Sequence, residues 1–447
     1  MKNTLIALGL GLLASVGASA QTDSLPKTPL TLQNYTADEI KVQKLRNSHK
    51  IVYIGDDSDR ASADSVNYIL DRFYYDQYRH FKDPLAPYFL LMSKDAKLAM
   101  GIGGCVRMRG WYDFDGAMPV NGFTPYMIPV PSDPSLRRRL GGTPDGTSIF
   151  MRVIGRNPLL GDIVGYIQGN FQNDGHGFKL KKAYVEIRDW TIGYNTTTLK
   201  DPDAEVPVID GAGQNGLTGS TAILIRWLHT FKNQRWSMAA ALEMPDSQTD
   251  CDGISTKAID DWFPDVAVWG QYNLPHHGHV RLTGLLRVIP YRDLVTSKNR
   301  SRFGWALQAS GVWNPCNRLT LYAECNTGQG YQSTMGDLSI GNYDLVADTG
   351  TPGRLYAPWA MGLNAGVKYN FRDNLYACLA LGDVRYFPRN GVAPTDYKYG
   401  MYGAVNLFYE PTPRLQVGIE YLIGSRHNFN RQHNHANRID ALFQFSF

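Results

Sequence analysis

Charged residues are scarce in this sequence. Asp, Glu, Lys and Arg make up 19% of its 447 residues, and the formal net charge at pH 7 is only +4. So small an excess argues against the strongly basic surface typical of nucleic-acid-binding proteins, and no nucleic-acid partner is expected. The same excess can still set ion preference if it is concentrated inside a cavity.

Cysteine is also rare, and the spacing of the cysteines does not indicate a disulfide framework. The five residues are scattered and include no CxxC pair: Cys105, Cys251, Cys316, Cys325 and Cys378. In a chain of this length the pattern favours small apolar strand residues over a disulfide network, although one pair stays open.

The sequence lacks the common enzyme motifs at a strand–helix junction and lacks a histidine pattern typical of a metal site. No GxSxG, HExxH, phosphate loop or GxGxxG introduces a strand–helix unit, so we expect no catalytic residue and no cofactor. Two histidine groups lack the paired spacing on a rigid element that zinc requires, and we expect solvated loop histidines rather than a metal site. They are His276, His277 and His279, and His427, His433 and His435.

Long apolar runs are confined to the start of the chain. The first twenty residues, MKNTLIALGLGLLASVGASA, combine Lys2, an uncharged apolar stretch and a small-residue cleavage site at Ala18-Ser19-Ala20. This pattern predicts a secretory signal peptide over residues 1–20. No later window reaches the ~20 apolar residues of a spanning helix, so a helical membrane protein is not expected.

Residues 21–95 differ from the rest of the chain. ADSVNYILDRFYYDQYRHF (63–81) has apolar residues at helical spacing, and Thr36 and Glu39 have the spacing of a capping box. We predict a helical or partly disordered N-terminal extension over residues 21–95, joined by the linker KDPLAP.

From about residue 96 the apolar period changes to two. In GGCVRMRGWYDF, Val106 and Met108 alternate with Arg107 and Arg109, and later segments repeat this contrast. Charges opposite an apolar face in mid-strand favour a wet interior and a lipid-facing exterior over a water-soluble sandwich. Short and long connections also alternate, the long ones including 290–302 and 327–357, with a briefer member near 425–436. Residues 96–447 are therefore predicted to be an all-β, antiparallel transmembrane β-barrel of about 16 strands.

Alternation places a set of basic residues on the inner side. They are expected to line the pore and bind anions: Arg107, Arg109, Arg152, Lys182, Arg188, Arg226, Arg281 and Arg287. An outward charge at mid-membrane would cost roughly 2–4 kcal/mol, which supports this assignment. Inward acids are fewer: Glu186, Glu243, Asp265 and Glu324. The alternative is that these charges merely pair with one another across the lumen.

The segment LKDPDAEVPVIDGAGQNGLTGST (199–221) is the candidate constriction loop. Its prolines and glycines permit a loop folded against the inner wall, where its acids would face the arginines. Those acids are Asp201, Asp203, Glu205 and Asp210. A plain external loop is the alternative.

The chain ends on RIDALFQFSF, with aromatic residues on one side. Ile439, Ala441, Phe443, Phe445 and Phe447 would form the lipid face of the closing strand, which must pair with the first strand to remove both edges. A terminal aromatic of this kind looks like the signal that the barrel-assembly machinery reads.

Three stretches, in this order and spacing, resemble the DcaP family of trimeric outer-membrane porins. They are VEIRDWTIGYNTTTLKDPDAEVPVIDGAG (185–213), PDVAVWGQYN followed by GHVRLTGLLRVIPYR, and GIEYLIGSRHNFN with ANRID. The resemblance covers roughly residues 90–447. It implies a sixteen-stranded homotrimer in the outer membrane of a Gram-negative bacterium, in contact with its lipid. It also implies a helical region on the periplasmic side and passage of small anions, dicarboxylates among them. GYNTTTLKD lacks the tryptophan of the family's strand before the third loop, which leaves the substrate preference open.

The leading hypothesis is therefore a porin that gives passive, anion-preferring diffusion of small hydrophilic solutes. A phosphate-selective porin is the nearest alternative. A structural or adhesive barrel plugged by residues 21–95, and a barrel hydrolase using Ser and His at the outer rim, are further alternatives.

Overall fold

Sixteen long antiparallel strands form one closed sheet in the computed structural model. The structure describes residues 36–55, 61–74, 87, 89–116, 118, 120–172 and 177–447. The expected signal peptide and the linker around Pro84 lie outside the described residues. No described helix is both long enough and apolar enough to cross a bilayer.

The elements are numbered along the described chain. Two α-helices are α1 (Ala37–Asn47) and α2 (Ala63–Tyr74). The strands are β1 (Lys50–Ile54), β2 (Phe89–Ser93), β3 (Leu98–Asp115), β4 (Arg139–Thr143), β5 (Ser148–Asn157), β6 (Gly161–Gln172), β7 (Gly177–Ile187), β8 (Trp190–Thr196), β9 (Thr221–Thr230), β10 (Trp236–Glu243), β11 (Thr256–Ala258), β12 (Asp265–Asn273), β13 (His279–Asp293), β14 (Lys298–Cys316), β15 (Leu319–Gln329), β16 (Val346–Ala347), β17 (Leu355–Tyr356), β18 (Trp359–Arg372), β19 (Leu375–Phe387), β20 (Tyr397–Thr412), β21 (Leu415–Asn428) and β22 (His433–Ser446). Short 3₁₀ helices lie at Pro125–Met127, Pro134–Leu136, Pro202–Ala204, Gln332–Thr334 and Asp337–Ile340.

The barrel wall consists of β3, β5–β10, β12–β15 and β18–β22. Each of these strands pairs antiparallel with the next, and β22 returns to β3, from Ser446 opposite Cys105 to Asn437 opposite Asp115. The predicted sixteen-stranded barrel is thereby confirmed. All five cysteines lie in the described part of the chain and are free thiols.

Side chains alternate between the two faces of the wall. Along β3, Ile102 and Met108 point outward and are 46% and 48% exposed, whereas Arg107 and Arg109 point inward and are buried. The same pattern continues around the barrel, so the outer face is an apolar belt and the inner face is polar. An apolar belt of this kind is the surface that lipid covers.

Connections of two lengths alternate, as expected. Turns of two to five residues join strands at one end, here called the short-turn rim, and mostly longer loops join them at the other, the long-loop rim. Two expected loops are shorter than the sequence suggested. The pairing of β13 with β14 continues as far as Asp293 opposite Lys298, and that of β21 with β22 as far as His427 opposite His433. Both loops are short because backbone pairing extends past the apolar belt.

The C-terminal residue completes the seam of the barrel. The Phe447 N–H donates to the Gly104 carbonyl at 3.0 Å, and the Gly104 N–H donates back to the Phe447 carbonyl at 3.1 Å. The Phe447 ring lies outward with Phe443 and Phe445, and all three are exposed. The aromatic end of the chain is therefore part of the closing strand pair and of the lipid-facing belt.

Deletion of Phe447 is expected to lower the yield of folded barrel, because it removes both backbone bonds to Gly104 and the last aromatic ring. Heat-modifiable mobility of outer-membrane fractions on SDS gels measures that yield. Phe447→Trp keeps the bonds and an aromatic ring and serves as the matched control. A deletion variant that folds as well as the control would contradict the prediction.

The N-terminal elements continue the sheet beyond the end of β22. β1 pairs parallel with β2, and β2 pairs antiparallel with β3 through Leu90 and Gly101. Helix α1 begins with the predicted capping box, in which Glu39 accepts from the Thr36 N–H at 2.6 Å. The helical pattern of residues 63–81 forms α2 as far as Tyr74, and its remainder lies outside the described residues.

Candidate functional site: the barrel lumen

The connection between β8 and β9, here called L3 (residues 197–220), folds into the barrel. Near its start, the Asp201 carboxylate lies 2.7 Å from His279 Nε2 and accepts from Ser310 Oγ at 2.5 Å. Arg281 Nη1 lies 3.2 Å from the same carboxylate. These partners are inward residues of β13 and β14, so Asp201 fixes the first part of L3 to that side of the wall.

The tip of L3 is fixed to the strands at the seam of the barrel, β3, β21 and β22. Asp210 pairs with Arg109 of β3, which also binds Asp440 of β22 at 2.9 Å. Glu420 of β21 accepts the backbone N–H groups of Ile209 and Asp210 at 2.9 and 2.8 Å. Burial alone would raise the pKa of Asp210, but the guanidinium groups of Arg109 and Arg438 outweigh it and lower that pKa.

The returning part of L3 follows the wall between these two anchors. Asn215 Nδ2 donates to the Gly400 carbonyl at 2.9 Å, and the Thr218 N–H donates to Glu324 Oε1 at 3.0 Å. Glycine permits this approach: a Cβ at Gly366 of β18 would lie 2.2 Å from the Val206 side chain of L3. L3 thus folds into the lumen and lies along the wall from β13 to β22.

A second connection, L6 (residues 330–358, between β15 and β18), also folds inward. Its Asp344 lies 3.4 Å from Arg287 Nη1 and accepts the Ser333 N–H at 2.8 Å. Its Asp337 accepts from Tyr397 at 2.7 Å and from Asn215 at 3.2 Å, and burial raises the Asp337 pKa to about 7. L6 therefore supports L3 from the long-loop side.

Four of the eight predicted basic residues lie among these anchors. Arg107 donates to Gln444 and to the Ile209 carbonyl of L3, both at 2.8 Å. Arg109 binds Asp210 and Asp440, Arg281 binds Asp201, and Arg287 binds Asp265 at 3.0 Å and Asp344. These four position the loops, so much of their charge is balanced within the wall.

Three other predicted residues lie on the wall of β5–β9 and are here called the basic strip: Arg152, Lys182 and Arg226. Each is on the inward side of its strand, β5, β7 and β9 respectively. The L3 bonds described above go to β13–β22 and β3, whereas the basic strip faces the lumen from the other side. Arg226 donates to the Thr196 carbonyl at 3.3 Å.

Arg188 has a different position from the one the alternation suggested. Strand β7 ends at Ile187, and Arg188 begins the turn to β8 with a φ of 55°. Its guanidinium donates to the Leu159 carbonyl in the neighbouring short turn at 2.8 Å. It therefore lies at the short-turn rim and not on the strand wall, because the chain turns one residue before the alternation would place it inside.

The four predicted L3 acids have distinct environments. Asp201 pairs with Arg281 and Asp210 pairs with Arg109 of the wall. Glu205 pairs with Lys200 of the same loop at 2.5 Å, and Asp203 lies partly exposed in a 3₁₀ helix. L3 thus carries side chains of both signs of charge.

The short-turn mouth contains the N-terminal helices. In α1, Asp38 lies 2.7 Å from Lys368 of β18, and Lys41 lies 2.6 Å from Glu410 of β20. Both wall residues are inward and buried. Glu39 of the same helix lies 3.5–3.6 Å from His276 and His277 in the turn before β13.

Helix α2 contacts a third part of the wall. Its Ile69 and Phe73 are fully buried in a cluster with Ile154 of β5 and Val164 of β6. Arg46 of α1 and Asp71 of α2 join the helices at 2.6 Å. Counted around the sixteen strands, the contacts at β5–β6, at the turn before β13 and at β18–β20 are well separated. The two helices therefore lie across the short-turn mouth.

Comparison with protein families agrees with this architecture. The model of the DcaP outer membrane protein family matches residues 92–447. This chain belongs to that family. Its membership places the protein in the outer membrane of a Gram-negative bacterium, where short turns conventionally face the periplasm and long loops the exterior.

Solved structures show the same fold at low identity. The outer membrane channel DcaP of Acinetobacter baumannii is similar to this chain with a TM-score of 0.68 and 18% identity, covering 79% of this chain and 98% of that one. OmpT, an outer membrane protein of Vibrio cholerae, is similar with a TM-score of 0.50 and 9% identity, covering 78% and 98%. No curated protein sequence matches this member of the DcaP family.

Some lumen residues were missed by sequence reasoning. His279 was expected to be a solvated loop residue, but it is 3% exposed and bonded to Asp201. His279 lies two residues before the inward Arg281, so period-two alternation predicts the inner face for it as well. Alternation places Glu420 on the inner side, between the outward Ile419 and Tyr421. No local pattern shows which groups Asp344 and Glu420 contact, because only the folded barrel brings Arg287 and L3 to them.

Asp210→Ala is expected to destabilise this DcaP-family barrel by roughly 3–5 kcal/mol, because it leaves the buried Arg109 and Arg438 without one of their anionic partners. The free energy of unfolding in lipid vesicles measures the effect. Asp203→Ala, in the same loop but partly exposed, is the control and should change that free energy by about 0.5 kcal/mol or less. Equal effects of the two substitutions would contradict the anchoring role of Asp210.

Proposed function

We propose that the protein is a passive diffusion channel that prefers small hydrophilic anions such as dicarboxylates. The observation that carries the proposal is the basic strip, Arg152, Lys182 and Arg226, which lies across the lumen from the anchored L3. Arginine and lysine side chains in a narrow aqueous passage with low-dielectric walls attract anions over several ångströms.

The charge balance on this side of the wall supports the preference. Among the nearby inward acids, Glu243 accepts the backbone N–H of Thr198 at 2.6 Å and Glu186 stands beside the strip. Asp162 lies 3.9 Å from Arg156 at the short-turn end, where the two charges offset each other. On this part of the described wall, the three cations of the strip outnumber the two acids Glu186 and Glu243.

The salt-gradient reversal potential of the reconstituted protein is expected to show a higher permeability for chloride than for potassium. Replacing Lys182 and Arg226 together by glutamine should lower that permeability ratio by about threefold or more, because two fixed positive charges leave the passage. Arg188→Gln, at the rim, is the matched control and should leave the ratio unchanged. Cation preference in the unmodified protein would refute the proposal.

Dicarboxylates are favoured over phosphate because the strip spreads its cations over three strands. A solute with two carboxylates can contact two separate cations, whereas a phosphate-selective site gathers its donors around one ion. Liposome swelling with succinate, phosphate and neutral solutes of similar size distinguishes these alternatives. Faster entry of phosphate than of succinate would favour the phosphate-selective alternative.

The channel is proposed to be a homotrimer. The supporting feature is an outer-wall area of small residues, Ala309, Ala323 and Ala365 of β14, β15 and β18, which allows another barrel to approach closely. Mass measurement of the protein in detergent tests the oligomeric state, and a monomer under conditions that keep the barrel folded would exclude the trimer.

The N-terminal extension is proposed to restrict the short-turn mouth of the channel. The protein would then be a conducting barrel that this segment partly plugs. The observation that favours this is the set of contacts that α1 and α2 make at three separated parts of the wall. Two of these contacts are close ion pairs, Asp38–Lys368 and Lys41–Glu410. The segment would then control access to the lumen from the periplasmic side.

Replacing Asp38 by Asn and Lys41 by Gln together is expected to raise the mean single-channel conductance. Each ion pair contributes about 1 kcal/mol, so its loss shifts the docking of α1 by roughly fivefold per pair. The barrel wall itself is unchanged in this variant. Lys44→Gln is the control on the same helix, because its pair with Asp373 is exposed and 3.8 Å long. Unchanged conductance in the double variant would contradict a restricting role.

A further inference from the structure

Two cations lie side by side on the outer face of the barrel at the long-loop rim. Lys257 of β11 and Arg292 of β13 are register partners, so their side chains share one face of the sheet. Arg292 belongs to the outward series of β13, which includes the exposed Leu282 and Leu286. On its other side, Arg292 Nη1 donates to Oδ1 of its register partner Asn299 on β14 at 2.9 Å. Lys257, Arg292 and Asn299 are here called the rim row.

The rim row lies directly beyond the apolar belt. On β14 the outward residues change from Phe303, which is 59% exposed, to Ser301 and then Asn299. Trp262, 65% exposed, donates its indole N–H to Ser301 Oγ at 3.4 Å. Tryptophan side chains with this combination of apolar ring and polar contact are typical of the boundary between lipid tails and headgroups. At ~3.3 Å per residue, Asn299 is about 7 Å further along the strand than Ser301, so the rim row lies at the depth of the headgroups.

The charges of the rim row are not balanced by neighbouring acids. Among the described residues, no carboxylate pairs with either cation of the row. Asp293 is on the inner face and pairs with an arginine of β14 at 2.7 Å, and Asp261 accepts from Ser247 Oγ at 2.6 Å. Like charges directly opposite each other on neighbouring strands are destabilising. An anion between Lys257 and Arg292 would remove this repulsion.

The donors of the rim row suit a phosphate group. Ammonium and guanidinium groups bind phosphate oxygens through charge-assisted hydrogen bonds, and the Cβ atoms of register partners lie about 5 Å apart, within reach of one tetrahedral anion. The Asn299 amide NH₂ supplies a further donor, because its Oδ1 already accepts from Arg292.

The position of the row favours a phosphate that is attached to lipid. The outer leaflet of a Gram-negative outer membrane contains a glycolipid whose sugar headgroup carries phosphates close to its acyl chains. Such a lipid can place its chains on the apolar belt while its phosphate contacts the cations, whereas free phosphate has only the second contact.

We propose that Lys257, Arg292 and Asn299 bind a headgroup phosphate of the outer-leaflet glycolipid, with the acyl chains on the belt beside Phe303. Because β11 belongs to the connection between β10 and β12, the bound lipid also fixes this loop at the membrane surface. The site is on the outside of the barrel and does not depend on the solute preference proposed for the lumen.

The test is a titration of the purified full chain in detergent with lipid A, the phosphorylated diglucosamine lipid, followed by native mass spectrometry. The double variant Lys257→Gln, Arg292→Gln should bind lipid A more weakly by roughly tenfold or more, at about fivefold for each cation lost near the headgroups. Lipid A with its phosphates removed should bind equally to the unmodified protein and to the variant.

Matched variants separate this site from a general effect of charge. Lys232→Gln with Arg235→Gln also removes two exposed cations, but from the short-turn rim, and it should bind lipid A as the unmodified protein does. Lys257→Arg keeps the charge and should keep the affinity. Lys257→Gln alone, at an exposed position, should weaken binding about fivefold and provides the test if the double variant folds poorly.

Three results would overturn the proposal. The first is equal affinity of the Lys257/Arg292 variant and the short-turn control for lipid A. The second is displacement of lipid A by a modest excess of inorganic phosphate, which would indicate a site for the free ion. The third is a lower assembly mass of the Lys257/Arg292 variant, which would assign the two cations to a contact between copies of this chain.

Discussion

Closure of the sheet is the constraint on which the rest of this structure depends. In lipid, a strand edge has no water to satisfy its backbone N–H and C=O groups, so the sixteenth strand has to return to the first. The chain meets this condition with its last residues, since β22 pairs with β3 and Phe447 exchanges two backbone bonds with Gly104. Once the sheet is closed, alternate side chains of each strand point either to the outside or into the lumen, and most of the charged side chains in mid-strand share the lumen.

The lumen contains many charged side chains, and the ion pairs among them determine where the inward-folded loops lie. Arg109 with Asp210 and Asp440, Arg281 with Asp201, and Arg287 with Asp265 and Asp344 join strands to the loops folded between them. Buried pairs of this kind contribute little net stability compared with an apolar alternative, but removing one partner is costly. Their main consequence is geometric, because they hold L3 and L6 against one side of the barrel and leave the other side to the solute.

The side left open carries the basic strip, and the N-terminal helices lie at its short-turn end. Arg152 belongs to both, as it lies on β5 and 5.9 Å from the ring centroid of Phe73 in α2. The protein belongs to the DcaP family over residues 92–447, while α1 and α2 lie before the matched region. The family-wide barrel and the preceding helices thus meet at the residues that we propose recognise the solute.

Much of the fold could be predicted from the sequence because it depends on local periodicity. Period-two alternation identified the barrel and the inward direction of residues such as Arg107 and Lys182. The order of short and long connections gave the strand number, and the spacing of Thr36 and Glu39 identified the start of α1. Which inward charges become loop anchors and which face the solute could not be predicted. Arg109 and Arg152 look alike in the sequence, but only barrel closure brings Asp210 to one and Phe73 to the other, because strands distant in sequence become neighbours only in the folded wall.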